Sequence, residues 1–340
     1  VLSLTGTNGK TTTKNLIASV LGRKFRVTAT SGNFNNDIGV PLSLLQIRPD
    51  TQIAVIEMGA NHPDDIARLV KVSQPDYGLI TNVGKAHLLG FGSFEGVKKA
   101  KGELYNWLGS HKGSLIFLNE DDPDLREMAS RQSCHCFGYG LEYQGARVLE
   151  VSPDEPFLRI ILDGSTIRTN LVGVYNASNV LAAIAVGDYF GIPRAESIMA
   201  VESFVPSNNR SQLMKTARNT LVVDAYNANP SSMAAAIDNF AQMVSPSKTA
   251  LLGDMRELGE DSVAEHVSVI KRLRDCRIPA CLVGEEFRKA LDRLPTGSEK
   301  WFATSEELAG SLQQSPLERD SLILVKGSRS IGMEKVLPCL

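Results

Sequence analysis

No apolar run in this 340-residue chain approaches the ~20 consecutive residues that a bilayer-spanning helix needs, which excludes a membrane-inserted protein. Charge of one sign is missing as well. The 36 basic and 38 acidic residues are interspersed and leave a net charge of −2, with no basic stripe to take a nucleic acid. A small anion bound with a metal is the better expectation, and a monomer is expected. The five cysteines are scattered, and the N-terminus lacks the charged-then-apolar pattern of an export signal; both fit a reducing cytoplasm. Only Cys134-His135-Cys136 groups metal-binding residue types. Its alternation within Ser133 to Tyr139 reads as a strand, and no second Cys/His pair completes a zinc site. The chain starts on Val1 rather than Met, so further sequence before it is expected.

What is present suffices for two domains: 43% of residues are hydrophobic in a chain long enough for more than one core. Its sharpest feature is at the start. Val1-Leu2-Ser3-Leu4 reads as a short buried strand, Thr5-Gly6-Thr7-Asn8-Gly9-Lys10-Thr11-Thr12 as a glycine-rich turn, and Thr13 to Leu21 as a helix. That order is how backbone N–H groups are wrapped around nucleotide phosphates. Lys10 would reach the β/γ oxygens and the Thr11 hydroxyl would ligate Mg²⁺. The common P-loop has a further glycine where this chain has Leu4, so the loop is a compact G-x-x-G-K-T form.

Strands near Val27–Ala29, Ile53–Glu57, Tyr77–Thr81 and Leu115–Leu118 alternate with helices near Asp64–Val72 and Phe94–Leu108, which predicts an α/β fold around a mostly parallel sheet. From Gly145 to Val172, stretches broken by Pro153, Pro156 and the turn Asp163-Gly164 predict a small antiparallel addition, followed by a helix from Ala177 to Phe190. Periodicity is lost at Phe204-Val205-Pro206-Ser207-Asn208-Asn209, the expected connection between a domain over 1–205 and another over 206–340. The second is a Rossmann-like pattern with strands near Thr220–Asp224, Thr249–Gly253, Ala280–Gly284 and Leu322–Lys326 and helices near Ser231–Val244, Asp261–Leu273 and Ser305–Leu312.

Several polar residues fall just past strand ends, where α/β sheets bind ligands. Glu57 closes Ile53-Ala54-Val55-Ile56 and is a candidate Mg²⁺ ligand beside a P-loop, although a strand-end acid alone is more often a cap. His87 follows Thr81-Asn82-Val83-Gly84-Lys85-Ala86; a lone loop histidine is usually a surface residue. Lys98, Lys99 and Lys101 read as the solvated face of a helix.

Four segments in the first half, Gly6–Thr11, Gly32–Pro41, Glu57–His62 and Ala100-Lys101-Gly102-Glu103, resemble the Mur ligases. So do Asn176-Ala177-Ser178-Asn179, Arg210, Asp224–Pro230, Leu252-Gly253-Asp254-Met255 and Lys326-Gly327-Ser328-Arg329. The resemblance covers the family's central ATPase domain and C-terminal domain and implies a preceding domain that holds a uridine nucleotide. It implies an ATP-dependent peptide ligase of peptidoglycan precursor synthesis, hence of cell-wall growth, cell shape and division. The Asn-rich loop and the Tyr226-Asn227-Ala228-Asn229-Pro230 run point to the branch joining D-alanyl-D-alanine to UDP-N-acetylmuramoyl-tripeptide through an acyl phosphate. The alternatives are another Mur-type or folylpolyglutamate-type ligase, or an ATP-binding module inactive without the preceding domain.

The resemblance also implies residue roles. Gly6 to Thr12, Asn176, Asn179, Arg210 and Asp224 would bind ATP, the two asparagines at the adenine, Arg210 at a phosphate as the domains close, and Asp224 at the ribose. Thr11 and Glu57 would hold one Mg²⁺, and Glu57, His87 and a carbamylated Lys101 a second, with Lys10, Glu57, His87 and Lys101 as the catalytic set. Asn35, Asn36, Asn227, Asn229, Lys326 and Arg329 would meet substrate. By residue type alone, Asn176 and Asn179 are helix caps, Asp224 a turn residue, and Lys326 and Arg329 solvated cations. Asp64 departs from the family, standing where a small or glycine residue is common, and so do Asn208-Asn209 before Arg210.

Overall fold

A computed structural model describes residues 1–151, 155–206 and 210–340. Pro153 and Ser207-Asn208-Asn209, expected in turns and in the interdomain connection, lie outside the described residues. The chain divides into two compact units: Val1–Leu149 with Arg159–Thr169 and Tyr175–Phe204, and Val205–Leu340 with Glu150–Leu158 and Asn170–Val174.

The first unit runs β1 (Leu2–Thr5), α1 (Lys10–Leu21), β2 (Val27–Ala29), α2 (Gly39–Leu44), β3 (Ile53–Glu57), α3 (Asp65–Ser73), β4 (Tyr77–Ile80), α4 (Leu88–Phe91), α5 (Phe94–Ser110), β5 (Leu115–Asn119), α6 (Pro123–Ser130) and β6 (His135–Tyr139). Its six strands lie in the order β2-β3-β1-β4-β5-β6, every pairing parallel. From β1 the chain first moves toward β3 and β2, then crosses back to β4. That reversal opens a crevice at the carboxyl ends of β1, β3 and β4, the ligand position of open α/β sheets. A small sheet follows, β7 (Arg147–Val148), β8 (Phe157–Leu162) and β9 (Ser165–Val172), with β7 antiparallel to β8. Asp163 and Gly164, both at positive φ, make the two-residue turn between β8 and β9. α7 (Ala177–Tyr189) is apolar almost all round and packs on α1, α8 (Arg194–Ser203), β5 and β6. Gly187 permits the approach: a Cβ there would lie 2.7 Å from both Val20 Cγ1 and Ser197 Oγ.

The second unit runs β10 (Gln212–Lys215), β11 (Thr220–Asp224), α9 (Pro230–Gln242), β12 (Lys248–Gly253), α10 (Ser262–Asp275), β13 (Ala280–Val283), α11 (Glu285–Leu291), β14 (Lys300–Phe302), α12 (Ser305–Gln314) and β15 (Leu322–Lys326). The sheet order is β10-β11-β15-β12-β13-β14, with β10 antiparallel and the rest parallel. β15 is inserted between β11 and β12, so Asp224, Lys326 and Gly253 end neighbouring strands on one edge. The fully buried Asp254 follows Gly253 and accepts from the Glu286 and Phe287 N–H groups, fixing the start of α11. His266, also buried, takes the Met255 N–H on Nε2 and donates from Nδ1 to the Ser262 carbonyl, which orders the loop between β12 and α10. Burial holds the Asp254 pKa above its ordinary value and that of His266 below.

Candidate active site

After β1 the chain turns through the glycine-rich loop into α1. Gly6 has φ 142°, and a Cβ on it would stand 2.0 Å from Thr81 Oγ1; Gly9 has φ 79°, and its Cβ would stand 2.6 Å from Asn179 Oδ1. Both positions therefore require glycine. The segment after β4 pins the loop: Thr7 N–H donates to the Asn82 carbonyl at 3.0 Å and Asn8 N–H to Asn82 Oδ1 at 3.0 Å. Asn82 Nδ2 and Thr81 Oγ1 donate in turn to the Asn8 carbonyl, at 3.1 and 2.6 Å. Lys10 Nζ curls back onto the Gly6 and Thr7 carbonyls, at 2.8 and 3.1 Å. Thr12 sits half-buried on the first turn of α1. Sequence reasoning left Thr81 and Asn82 without a role; their place just past the strand that pairs with β1 was the available signal.

Glu57, opposite Leu4 in the sheet, is buried at the mouth of this loop. Its Oε1 accepts from Thr11 Oγ1 at 3.1 Å and from Asn35 Nδ2 at 2.9 Å, whereas Oε2 is buried and accepts no hydrogen bond from the described residues. Among the described residues, no three His, Cys, Asp or Glu side chains converge as a ready cage. One hydroxyl and one carboxylate, whose Oε2 takes no hydrogen bond from the described residues, do fit Mg²⁺, a hard cation that takes its remaining ligands from phosphate and water. Asn35, expected at the substrate, instead orients Glu57, and its carbonyl accepts the Gly59 N–H at 2.6 Å. Asn36 is also committed locally: its Oδ1 takes the Ile38 and Gly39 N–H groups at the start of α2.

Lys101 does not belong to a solvated face. It is buried in phase with Val97, Leu104 and Leu108 on α5, and its Nζ reaches the Ala60 carbonyl at 3.4 Å, three residues beyond Glu57. Burial, then the nearby charge of Lys10, holds its pKa well below the ordinary lysine value, against the pull of Asp65 and Glu103. Phe91 links Lys101 to His87: the Lys101 Nζ lies 5.6 Å from its ring centre and the His87 ring 6.4 Å away. His87 is half-buried and in the left-handed region (φ 51°) at the start of α4. Two acids clamp the segment after β3. Asp65 takes the Asn61 and His62 N–H groups at 2.9 Å each, and Glu103 takes those of Asp64 and Ala67 at 3.0 and 2.8 Å. Asp64 itself has φ 65°, which explains why glycine suits that position.

Asn176 and Asn179 are both buried, and Asn176 makes no side-chain cap. Instead Asn179 Nδ2 donates to Asn176 Oδ1 at 2.8 Å, and Asn179 Oδ1 accepts from Thr13 Oγ1 at 3.0 Å. The pair braces α1 just behind Gly9.

In the second unit, Lys326 is buried, with Nζ 2.5 Å from Asp224 Oδ2 and 3.1 Å from the Asn227 carbonyl. It is thus neither a solvated cation nor open to a substrate carboxylate. Asn229 likewise is a cap: its side chain takes the Ser232 N–H while Ser232 Oγ takes its own, a reciprocal capping pair opening α9. Asn227 remains exposed, with Oδ1 accepting the Ala228 N–H. The guanidiniums of Arg210 and Arg329 lie over the Tyr226 ring, 3.7 and 5.3 Å from its centre. Lys326→Met should leave the partly exposed Asp224 unpaired and lower unfolding free energy by about 2–4 kcal/mol, while Arg329→Ala stays within about 0.5 kcal/mol of the parent. Urea titration of both variants checks this.

A phosphate-wrapping loop with a hydroxyl and a buried carboxylate at its mouth, on an open parallel sheet, defines a P-loop enzyme that acts on nucleotides. Residues 4–187 match the Mur ligase middle domain, and residues 209–329 the Mur ligase, glutamate ligase domain. The chain belongs to the Mur ligase family and is an ATP-dependent peptide ligase. The UDP-N-acetylmuramoyl-tripeptide–D-alanyl-D-alanine ligase of Treponema pallidum (strain Nichols) is 34% identical to it over 350 residues, covering 100% of this chain and 74% of the relative. The ligase of the same name from Bacillus subtilis (strain 168) is 33% identical, covering 99% and 75%. The fold agrees with the crystal structure of MurF from Acinetobacter baumannii, at a TM-score of 0.88 and 30% identity over 99% of this chain and 75% of that one. It also agrees with MurF ligase from Thermotoga maritima in complex with ADP, at a TM-score of 0.86 and 27% identity over 99% and 78%. Among the described residues no helix is long and apolar enough to cross a membrane.

Proposed function

We propose that this chain joins D-alanyl-D-alanine to the terminal carboxylate of UDP-N-acetylmuramoyl-tripeptide, with ATP as phosphoryl donor, in peptidoglycan precursor synthesis in the cytoplasm. The observation that carries the reading is the buried Thr11–Glu57 pair beside the phosphate loop, with Lys101 held just beyond it. Lys10 exchanges the Gly6 and Thr7 carbonyls for the β- and γ-phosphate oxygens. The tripeptide carboxylate attacks the γ-phosphorus and ADP departs, leaving an acyl phosphate. The dipeptide amine then attacks the acyl carbon, loses a proton, and the tetrahedral adduct expels phosphate to leave the amide. Thr11 and Glu57 would hold one Mg²⁺, and Glu57, His87 and Lys101 carrying a carbamate a second; the two cations would supply positive charge against the transferring phosphoryl oxygens.

Asn176 and Asn179 serve ATP by bracing the loop beside the adenine, Arg210 serves a phosphate, and Asp224, oriented by Lys326, the ribose. Arg329 and Asn227 remain for the dipeptide carboxylate. On this reading Arg329→Ala raises the acceptor KM about tenfold, the worth of one charge-assisted hydrogen bond. ADP release measured with D-alanyl-D-alanine, single D-amino acids, diaminopimelate and L-glutamate tests the whole reading. Release that depends on the D-alanyl dipeptide supports it; release with another acceptor makes the chain a different Mur-type or a folylpolyglutamate-type ligase. ATP binding with no acceptor-dependent release makes it a binding module.

A further inference from the structure

The reaction above gives no part to Lys14, one helical turn beyond Lys10. It shares the buried face of α1 with Ile17 and Leu21, a phase in which a lysine is out of place unless its ammonium is spoken for. Its Nζ donates to the Thr30 carbonyl at 2.6 Å, lies 3.5 Å from the Gly32 carbonyl, and stands 3.9 Å from Glu57 Oε2. Both side chains of that ion pair are almost wholly buried, at 2% and 1% exposure. The same carbonyls open the loop that returns to Glu57 from the other side. Thr30 Oγ1 takes the Glu57 N–H at 3.0 Å, and Asn35 reaches Glu57 Oε1 with its amide and Gly59 with its carbonyl.

We infer that Lys14 is a positioning residue: it ties helix α1, the loop after β2 and the Glu57 carboxylate into one rigid unit, so that the phosphate loop and the metal-binding oxygen keep a fixed spacing. An ammonium suits the task because it offers three donors to two carbonyls and one carboxylate at once. A lysine kept only to balance a buried acid would have no need of the Thr30 and Gly32 carbonyls. The inference rests on the reading of Glu57 as a Mg²⁺ ligand, and the test below separates the two.

Mn²⁺ binding in the presence of ADP is followed by electron paramagnetic resonance in the parent and in Lys14→Met. The variant should bind Mn²⁺ about tenfold more weakly or worse, the usual effect of losing a residue that orients a ligand. The Mg²⁺ concentration giving half-maximal rate should rise in step while kcat at saturating Mg²⁺ changes far less. Separately, a metal-free urea cycle over Lys14→Met, Glu57→Gln and the double variant should show strong coupling, the double being more stable than Lys14→Met alone. Unchanged Mn²⁺ affinity in folded Lys14→Met, or additive stability losses, overturns the inference. If Lys14→Met fails to fold, the double variant must fold; its failure is equally fatal. A parent that binds no Mn²⁺ while the cycle still shows coupling removes the metal reading of Glu57 and keeps Lys14 as the residue that positions it.

Discussion

Lys101→Ala and Lys101→Met should keep their fold and lose turnover by at least ~10²-fold, with no recovery on adding bicarbonate. The side chain is buried against the Ala60 carbonyl with a second cation, Lys10, as an electrostatic neighbour, so its amine is held neutral far more readily than an exposed lysine. A neutral amine can attack CO₂ and, on losing a proton, become a carbamate, which turns a cation that would repel Mg²⁺ into a hard oxygen ligand. Stability separates this from a packing role. Between its depressed value and the ordinary 10.5, the unfolded chain holds a proton at Lys101 that the folded chain lacks. In CO₂-free buffer the parent should therefore gain stability as pH rises through that window and lose it as pH falls. Lys101→Met, which fills the same space without charge, should flatten that slope and be no less stable near neutral pH. Urea denaturation at several pH values, alongside ADP release, gives both readouts. Near-normal turnover in either variant would sink the assignment.

The same lysine shows what a single chain of letters conveys and what it withholds. Continuous apolar runs such as Ile53–Ile56 and Leu322–Val325 were legible as central strands because both their faces are covered, and the Asp163-Gly164 turn was legible from its residue types. α2 was not, since Gly39-Val40-Pro41 carries no helical signal, and the chain enters it through a turn in which Asn36 Oδ1 takes the Ile38 and Gly39 N–H groups. Three-residue β14 and the edge strand β10 were too short to show a period. At the site, loop chemistry was readable from Gly6 to Thr11, but burial of charge was not read. Lys14, Lys101 and Lys326 all stand in phase with apolar neighbours, and that phase is the signal that a solvated reading of Lys101 and Lys326 overlooks and that marks Lys14 as well. Asparagines were ambiguous for a different reason: one amide serves a backbone cap, another side chain or a ligand equally well. Only placement separates Asn229, which caps α9, and Asn36, which holds the turn before α2, from Asn35, which orients Glu57.

Lys10→Met should abolish phosphoryl transfer, a loss of about 10²–10³-fold or more, while changing unfolding free energy by roughly 1 kcal/mol. The asymmetry follows from what Lys10 touches. Its ammonium donates to two carbonyls of its own half-buried loop, Gly6 and Thr7, neutral acceptors that water can serve when the side chain is replaced. Its charge, by contrast, has no substitute once triphosphate oxygens arrive at the loop. A second consequence reaches Lys101, whose pKa the Lys10 charge helps to depress. Removing that charge should move the Lys101 pKa upward, so at a given pH less of the neutral amine is available to take up CO₂. The carbamate signal of protein equilibrated with ¹³C-bicarbonate, followed by NMR across pH, should then appear at higher pH in Lys10→Met than in the parent. A variant inactive in ADP release but with an unmoved carbamate profile would mean that the two lysines are electrically independent. A shifted profile would show that the charge of Lys10 in the glycine-rich loop also tunes the buried amine of Lys101.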